Sequence, residues 1–294
     1  MEAGDTVGMK KSIFEKQVRD KSKETGLHIQ EVQNLFAMER LLYSLSQTNY
    51  KEHFILKGGF LLTTKHGLQL RSTVDIDFTF KNAPLTVKSM KDMIVKANQY
   101  LDENEKITLN RLEETREHFE YSGYSARLTY HLDRSHYDFK IDVTTGEDLI
   151  DMNYSETIKA LFGNDLIEIY SYSSEQIIAD KFYTMIAYGS YDDTNSRMKD
   201  YYDMYMLNRM YSNLNYTDIV QAINKTMQQR NEMIHYKQYD QIIDYLSQSE
   251  NQHRHWERYQ DKTPYASDIS FVEVMAEIKS VNQKIVEVEE NRNN

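Results

Sequence analysis

Two neighbouring stretches indicate the fold: LKGGFLL (residues 56–62) and RSTVDIDF (residues 71–78). Together they predict a glycine turn, a short helix and a strand that carries two carboxylates. Glycine adopts backbone conformations that are closed to other residues, so Gly58 and Gly59 allow backbone N–H groups to approach an anion closely. The helix start that follows also favours anions. The two stretches therefore predict a phosphate-binding turn beside an acidic strand.

The acidic strand is a candidate metal site. Successive side chains of a strand point to opposite faces, so Asp75, Asp77 and Thr79 share one face, and the apolar residues between them share the other. The two carboxylates lie about 7 Å apart, from a rise of roughly 3.3 Å per residue. Like charges this close repel unless a cation lies beside them. Mg²⁺ is commonly held by one or two carboxylates plus substrate phosphates. The alternative is an ordinary turn followed by two solvated aspartates.

Composition limits the class of protein. The 294 residues are 40% hydrophobic and 28% charged, which fits one large globular domain or two modest ones. The formal net charge of −11 argues against bulk electrostatic binding of nucleic acid, but it is compatible with a local basic groove. The chain has no cysteine, so disulfides, thiolate catalysis and cysteine-ligated zinc are excluded.

The sequence shows no membrane segment. No apolar run approaches the roughly 20 residues that span a bilayer. The first 17 residues are polar and lack the apolar region of a secretory signal peptide. We therefore expect no membrane partner and a cytoplasmic protein.

The spacing of apolar residues predicts an α+β protein in three regions. Residues 1–50 form an N-terminal helical segment, residues 51–150 a core with a mixed sheet flanked by helices, and residues 151–294 an all-helical C-terminal domain. The strand pattern nearly vanishes past Gly146, and Ser173 is the predicted N-cap of a long helix.

A second amphipathic strand is predicted over Tyr137–Val143. Its apolar residues alternate with Asp138, Lys140 and Asp142. If this strand pairs beside the Asp75–Asp77 strand, Asp142 adds a third carboxylate to the same polar face. The alternative is a strand whose polar face is simply solvated.

Lys181 stands out on the helix that follows Ser173. Ile177, Lys181 and Met185 are four residues apart, so the lysine lies within the apolar stripe of this helix. Lysine is almost never fully buried without a partner. Either the side chain extends to the rim of the stripe, or its charge serves a site.

The segment RMKDYYDM (residues 197–204) is the third charged feature. Asp200 and Asp203 are neighbours on a helix surface, and like charges there are mildly destabilising. Arg197 and Lys199 partly offset this repulsion. An exposed helix with ion pairs would account for the pattern. For Asp203 the alternative to a catalytic role is to anchor the helix by pairing.

Taken together and in this order, these motifs resemble the AbiEii/AbiGii toxin family within the nucleotidyltransferase superfamily. The matching elements are the Lys57-Gly58-Gly59 turn, the Arg71-x-Thr73-x-Asp75-Ile76-Asp77-Phe78 strand, the helix that carries Lys181, and the Arg-x-Lys-Asp-x-x-Asp motif at residues 197–203. The resemblance covers roughly residues 54–207. Many superfamily members have Gly-Ser where this chain has Gly58-Gly59, so backbone amides and Lys57 would have to replace that serine contact.

The resemblance implies a minimal nucleotidyltransferase core and an enzyme that transfers a nucleotide from an NTP, with Mg²⁺ or Mn²⁺ as cofactor. Asp75 and Asp77 would hold the metal, and either Asp142 or Asp200 would complete the site or act as the base. Lys181 would neutralise the triphosphate. The residues implied in nucleotide binding are Lys57, Gly58, Gly59, Arg71, Thr73 and Arg197.

The resemblance further implies an RNA acceptor, such as the 3′ end of a tRNA. The biological role would be that of a growth-arresting toxin in phage defence by abortive infection, countered by an antitoxin encoded alongside. A non-catalytic nucleotide-binding module and transfer to a protein or small molecule are the alternatives. Because no catalytic motif lies in the C-terminal helices, we expect that region to bind the acceptor through Lys225, Arg230, Lys237, Arg254, Arg258 and Lys262.

Overall fold

The computed structural model describes residues 10–115 and 123–293. Within these residues the central feature is a mixed seven-stranded sheet with the strand order β3-β4-β5-β2-β1-β7-β6. The strands are β1 (Phe54–Lys57), β2 (Asp75–Phe80), β3 (Glu105–Thr115), β4 (Gly123–Leu132), β5 (Ser135–Thr145), β6 (Ser155–Lys159) and β7 (Leu166–Ser171).

Helices precede, interrupt and follow the sheet. Four accompany it along the chain: α1 (Lys11–Thr25), α2 (Ile29–Ser46), α3 (Gly58–His66) and α4 (Val87–Ala97). The six that follow are α5 (Ser174–Gly189), α6 (Met198–Met210), α7 (Tyr216–Arg230), α8 (Tyr239–Gln248), α9 (Glu250–Gln260) and α10 (Phe271–Asn293). No helix in the described part of the chain is long and apolar enough to cross a membrane.

The described residues form two compact units. The first comprises residues up to 146 and residues 152–171, and the second comprises residues 147–151 and those from 172 onward. The first unit therefore holds the whole sheet with α1–α4, and the second is helical. The predicted fold class is confirmed. The predicted domain boundaries at residues 50 and 150 stay predictions, and the compact units have other bounds.

One face of the sheet forms the core of the first unit. The apolar residues of β5 alternate with polar ones, and the predicted apolar set of this strand is buried. Phe14 of α1 contacts Tyr137 with ring centroids 5.0 Å apart, and Phe36 of α2 contacts Tyr130 at 5.7 Å. Helices α1 and α2 therefore cover the apolar face of the sheet. The polar side chains of β2 and β5 lie on the opposite face.

The predicted loss of strands past Gly146 is wrong. The strands β6 and β7 lie in the segment expected to be helical, and β7 pairs in parallel with β1. Every second residue of β7 is buried and the residues between them are exposed or half-buried, which is the strand period. The predicted N-cap of α5 is confirmed, because the Ser173 hydroxyl accepts a hydrogen bond from the Gln176 N–H at 3.1 Å.

Glu39 gives the first unit a pH-dependent stability. Its buried carboxylate accepts hydrogen bonds from the N–H groups of Leu161 and, at 3.1 Å, Phe162. Burial raises the pKa of Glu39 to about 7, although these bonds and the nearby charge of Arg40 act in the opposite direction. Asp165 adds a smaller upward push to the same pKa.

We expect the free energy of unfolding to fall as pH rises through this range. The pKa of Glu39 in the folded protein lies above its value in the unfolded chain. Glu39 therefore makes its full stabilising contribution below about pH 4.5, and this contribution is lost as pH rises through about 7. The loss amounts to about 3 kcal/mol at 1.36 kcal/mol per pH unit. Denaturant titrations between pH 5 and 8 measure it, and Glu39→Gln should flatten this dependence. If the free energy of unfolding of Glu39→Gln depended on pH as steeply as that of the wild type, another group would be responsible.

Candidate metal centre and nucleotide site

Three carboxylates meet on the polar face of the sheet. The strand β2 pairs in parallel with β5, in a register that places Asp77 beside Asp142 and Asp75 beside Lys140. One oxygen from each of Asp75, Asp77 and Asp142 lies within 4.8 Å of the other two, and all three residues are half-buried. The strand pairing that brings Asp142 to the same face as Asp75 and Asp77 is therefore present.

The donor chemistry of this group fits a divalent cation. Three carboxylates supply hard oxygen ligands, which Mg²⁺ and Mn²⁺ prefer. Their mutual repulsion is partly offset by Lys140, whose Nζ lies 2.6 Å from the Asp142 Oδ2. The hydrogen bond to Asp142 raises the pKa of Lys140, and the charges of Asp75 and Asp77 add to this effect. The three carboxylates therefore stabilise the positive charge of Lys140.

A hydroxyl from the preceding loop orients one of the carboxylates. Thr73 is buried, and its Oγ1 donates a hydrogen bond to the Asp75 Oδ1 at 3.0 Å. The guanidinium of Arg71, also buried, approaches Gly59, as does the Thr73 hydroxyl. The loop before β2 thus brings Arg71 and Thr73 to the start of α3.

The two glycines fit because the chain passes too close to the carboxylates for a side chain. Gly58 has a φ of +70°, and a Cβ there would press against the carboxyl group of Asp77, 3.0 Å from its Cγ. A Cβ on Gly59 would lie 2.9 Å from the Thr73 Oγ1. The first N–H groups of α3, which have no partner within the helix, therefore begin beside the acidic cluster.

Lys57 completes this part of the first unit. It is the register partner of Asp77 on β1, and its Nζ donates a hydrogen bond to the Thr144 Oγ1 at 2.6 Å. Five of the residues predicted from the first motif thus lie where β1 ends and β2 begins. They are Lys57, Gly58, Gly59, Arg71 and Thr73.

Gly58→Ala should disturb both the backbone and the Asp77 side chain. A left-handed conformation costs a non-glycine residue about 1–2 kcal/mol, and the contact with Asp77 adds to this. We expect a lower melting temperature and at least about tenfold weaker Mn²⁺ binding, measured by calorimetry.

Gly26→Ala is the matched control, because Gly26 has a φ of +74° with no atom within 4 Å of the added Cβ. It should lower stability through backbone strain alone and leave Mn²⁺ binding unchanged. Equal Mn²⁺ affinity in both variants would show that the approach of Gly58 to Asp77 does not matter for the metal.

The second unit contains a separate group of buried charges. Lys181 of α5 places its Nζ 2.9 Å from the Asp200 Oδ1 and 2.7 Å from the Asp203 Oδ2. The Nε of Arg197 lies 2.7 Å from the other oxygen of Asp200. Lys181 therefore does not merely extend to the rim of an apolar stripe, because it joins α5 to two aspartates of α6.

The cations around Asp200 determine its ionisation. Burial by itself would raise the pKa of Asp200, but the charges of Lys181 and Arg197 and their hydrogen bonds outweigh it. The pKa of Asp200 consequently lies below its ordinary value, which disfavours a role as a general base.

Sequence reasoning missed two contacts of the site. The sequence places Lys140 on the polar face of its strand but does not reveal its ion pair with Asp142. It also gives no sign that Thr144 accepts a hydrogen bond from Lys57. Both residues occupy the alternate positions that also hold Asp142, so the period of the strand was the available signal. The roles predicted for all site residues stay predictions.

Comparison with known proteins gives a consistent picture. Residues 40–277 match the sequence model of a family described as "Nucleotidyl transferase AbiEii toxin, Type IV TA system". No curated protein matches the chain.

Two solved structures share the fold. A crystal structure of an H. pylori protein described as a candidate nucleotidyltransferase is 16% identical, with a TM-score of 0.54, and the alignment covers 90% of this chain and 98% of that one. The structure of JHP933 from Helicobacter pylori is 14% identical with a TM-score of 0.52, covering 91% and 98% of the respective chains.

Proposed function

Because this chain belongs to the AbiEii nucleotidyl transferase toxin family of type IV toxin–antitoxin systems, we propose that it transfers a nucleotide from an NTP to an RNA acceptor. The observation that carries the proposal is the convergence of Asp75, Asp77 and Asp142 beside the glycine turn. The acceptor we propose is the 3′ end of a tRNA.

The metal part of the proposal rests on the three carboxylates. Asp75, Asp77 and Asp142 would hold Mg²⁺ or Mn²⁺, which when bound supplies positive charge against the triphosphate and the attacking oxygen. The geometry favours Asp142 over Asp200 as the third acid, because Asp142 is the register partner of Asp77.

The chain's own residues would bind and orient the nucleotide. Lys57 and Arg71 provide cations beside the glycine turn, and the free N–H groups at the start of α3 suit a phosphate. Catalysis of phosphoryl-type transfer depends mainly on in-line positioning and charge neutralisation. For the second unit we propose the predicted role of Lys181 as a phosphate-neutralising cation, with Arg197 as a nucleotide contact. Asp200 is then a positioning residue for Lys181.

The family supports a proposal about the biological setting. A type IV toxin has a cognate antitoxin, and we propose that nucleotide addition to RNA arrests growth in the cytoplasm as part of phage defence by abortive infection.

A labelling experiment tests the transferase proposal. The purified chain is incubated with each α-labelled NTP and Mg²⁺, in separate reactions with total RNA, total protein and small-molecule hydroxyl acceptors. We expect label in tRNA-sized RNA, its loss with EDTA, and no label with Asp77→Ala. Label only in protein or a small molecule would overturn the RNA acceptor, and no label in any fraction would favour a non-catalytic module.

A further inference from the structure

A row of cations leads away from the carboxylates across the polar face of the sheet. Arg111 of β3 is paired with Arg127 of β4, Arg127 with Lys140 of β5, and Lys140 with Asp75 of β2. Directly paired residues on neighbouring strands share a face. Strands lie about 4.8 Å apart, so the row extends roughly 14 Å from Asp75 to Arg111.

A β-bulge creates the far end of this row. The register of β3 and β4 shifts between Leu109 and Arg111, so Asn110 is the extra residue. Without this shift Asn110, not Arg111, would be the partner of Arg127. Bulges re-aim side chains and are common beside active sites. The bulge therefore adds a third cation to the row.

Three cations directly opposite one another are unfavourable in the absence of a counter-charge, since like charges at paired positions destabilise a sheet. Lys140 is paired with Asp142, and Arg111, which is 63% exposed, contacts Glu113. Arg127 is exposed between them, and its side chain makes no ion pair or hydrogen bond with any part of the chain that the structure describes. The centre of the row is thus available to an anion.

From this geometry we propose that Arg111, Arg127 and Lys140 hold the phosphate backbone of the acceptor RNA strand near its reacting end. The inference rests on the proposed transferase function and adds where its acceptor binds. One cation per strand in a single line suits one chain of phosphates. The aromatic residues of β4 and β5, Tyr124, Tyr130, Tyr137 and Phe139, belong to the opposite, core face, so this surface would contact the backbone without stacking bases.

The cations of the second unit, which the sequence suggested as the acceptor surface, are partly engaged. Lys225 donates hydrogen bonds to the Asp148 Oδ1 at 2.8 Å and the Leu149 carbonyl at 2.9 Å. Arg230 lies over the ring of Tyr183 at 5.1 Å. The sheet row is distinguished by its position, because it begins at Asp75 of the carboxylate cluster in the same unit.

The test measures binding of a synthetic RNA hairpin with a single-stranded 3′ tail, in the absence of NTP and at several salt concentrations. The double variant Arg111→Gln/Arg127→Gln removes two charges and leaves Lys140, which contacts Asp142, in place. Its matched control is Lys91→Gln/Lys96→Gln, two exposed lysines on α4, which contacts β3 in the same unit. Melting temperatures and Mn²⁺ affinity verify that all variants keep the fold and the metal site.

We expect the row variant to bind the RNA about tenfold more weakly, with the slope of log K against log salt reduced by about 1.4, or 0.7 for each lost phosphate contact. Its rate of transfer to RNA should fall in parallel, and the control should match the wild type. Unchanged RNA affinity and slope in the row variant, with wild-type transfer intact, would overturn the row and leave the transferase proposal standing.

The results differ if the transferase proposal itself is wrong. If the wild type labels no RNA but the row variant still loses RNA affinity and slope, the transferase proposal fails and the row stands as an RNA-binding surface. If the wild type labels protein and binds the RNA no better than the row variant does, the row is overturned in favour of an acidic protein partner.

Discussion

Replacing Asp77 with alanine is expected to reduce nucleotide transfer at least a thousandfold, a loss of about 4 kcal/mol of transition-state stabilisation. Asp77 is the central carboxylate of the cluster, because it pairs with Asp142 on one side and with Lys57 on the other. The substitution removes one ligand of the proposed metal site. It also removes the carboxyl group that lies against Gly58. Transfer of labelled nucleotide and Mn²⁺ binding measure the effect, and toxicity in cells should disappear with them.

The fold should survive this substitution. Three neighbouring carboxylates repel one another in the absence of a cation, so the melting temperature without metal should stay the same or rise. Asp138→Ala is a matched control, since Asp138 is an exposed aspartate two positions from Lys140 on the polar face of β5 and lies outside the cluster. Transfer at the wild-type rate by Asp77→Ala would remove the cluster from the reaction.

The sequence predicted the acidic face better than its surroundings. The alternation around Asp75 and Asp77 determined which side chains share a face, and the same rule applied to Asp142. Whether the two strands are neighbours was a separate question, because β2 and β5 pair in parallel across some sixty intervening residues. No local pattern encodes such a crossover, so the sequence alone predicts the third carboxylate only on the condition that these strands pair.

The missed strands have a different cause. The edge strand β6 has one buried residue, Ile158, among five, so it lacks the alternation on which strand prediction depends. In β7 the alternation exists, with Ile167, Ile169 and Ser171 buried. This alternation covers only six residues and lies next to a strong helical pattern. Pairing with β1 and β6 further stabilises the strand.

Lys181 shows the limit of reading one helix alone. Its position between Ile177 and Met185 correctly indicates that the side chain is largely buried. The compensating charges come from α6, some twenty residues later, and helical periodicity does not show which helices meet. The structure places two buried carboxylates against the ammonium group, so an apolar side chain at this position would remove both contacts.

Lys181→Met should consequently destabilise the second unit by about 3–5 kcal/mol, the cost of removing one partner from a buried ion pair. The lysine is 13% exposed and the Asp203 side chain 0%, so water replaces little of the lost attraction. Asp200 keeps Arg197, whereas Asp203 loses its ion pair with Lys181. Denaturant unfolding measures the change. Lys237→Met is the matched control at an exposed lysine of the same unit, and it should stay within about 0.5 kcal/mol of the wild type.

A second substitution separates stability from catalysis. In Lys181→Met/Asp203→Asn the buried charge of residue 203 is neutral, so we expect part of the stability to return. If Lys181 also neutralises a triphosphate, the double variant should still transfer nucleotide at least about tenfold more slowly than the wild type, assayed where both are folded. Recovery of the full rate together with stability would show that Lys181 acts only through the fold, and an undiminished stability in Lys181→Met would contradict the buried ion pair itself.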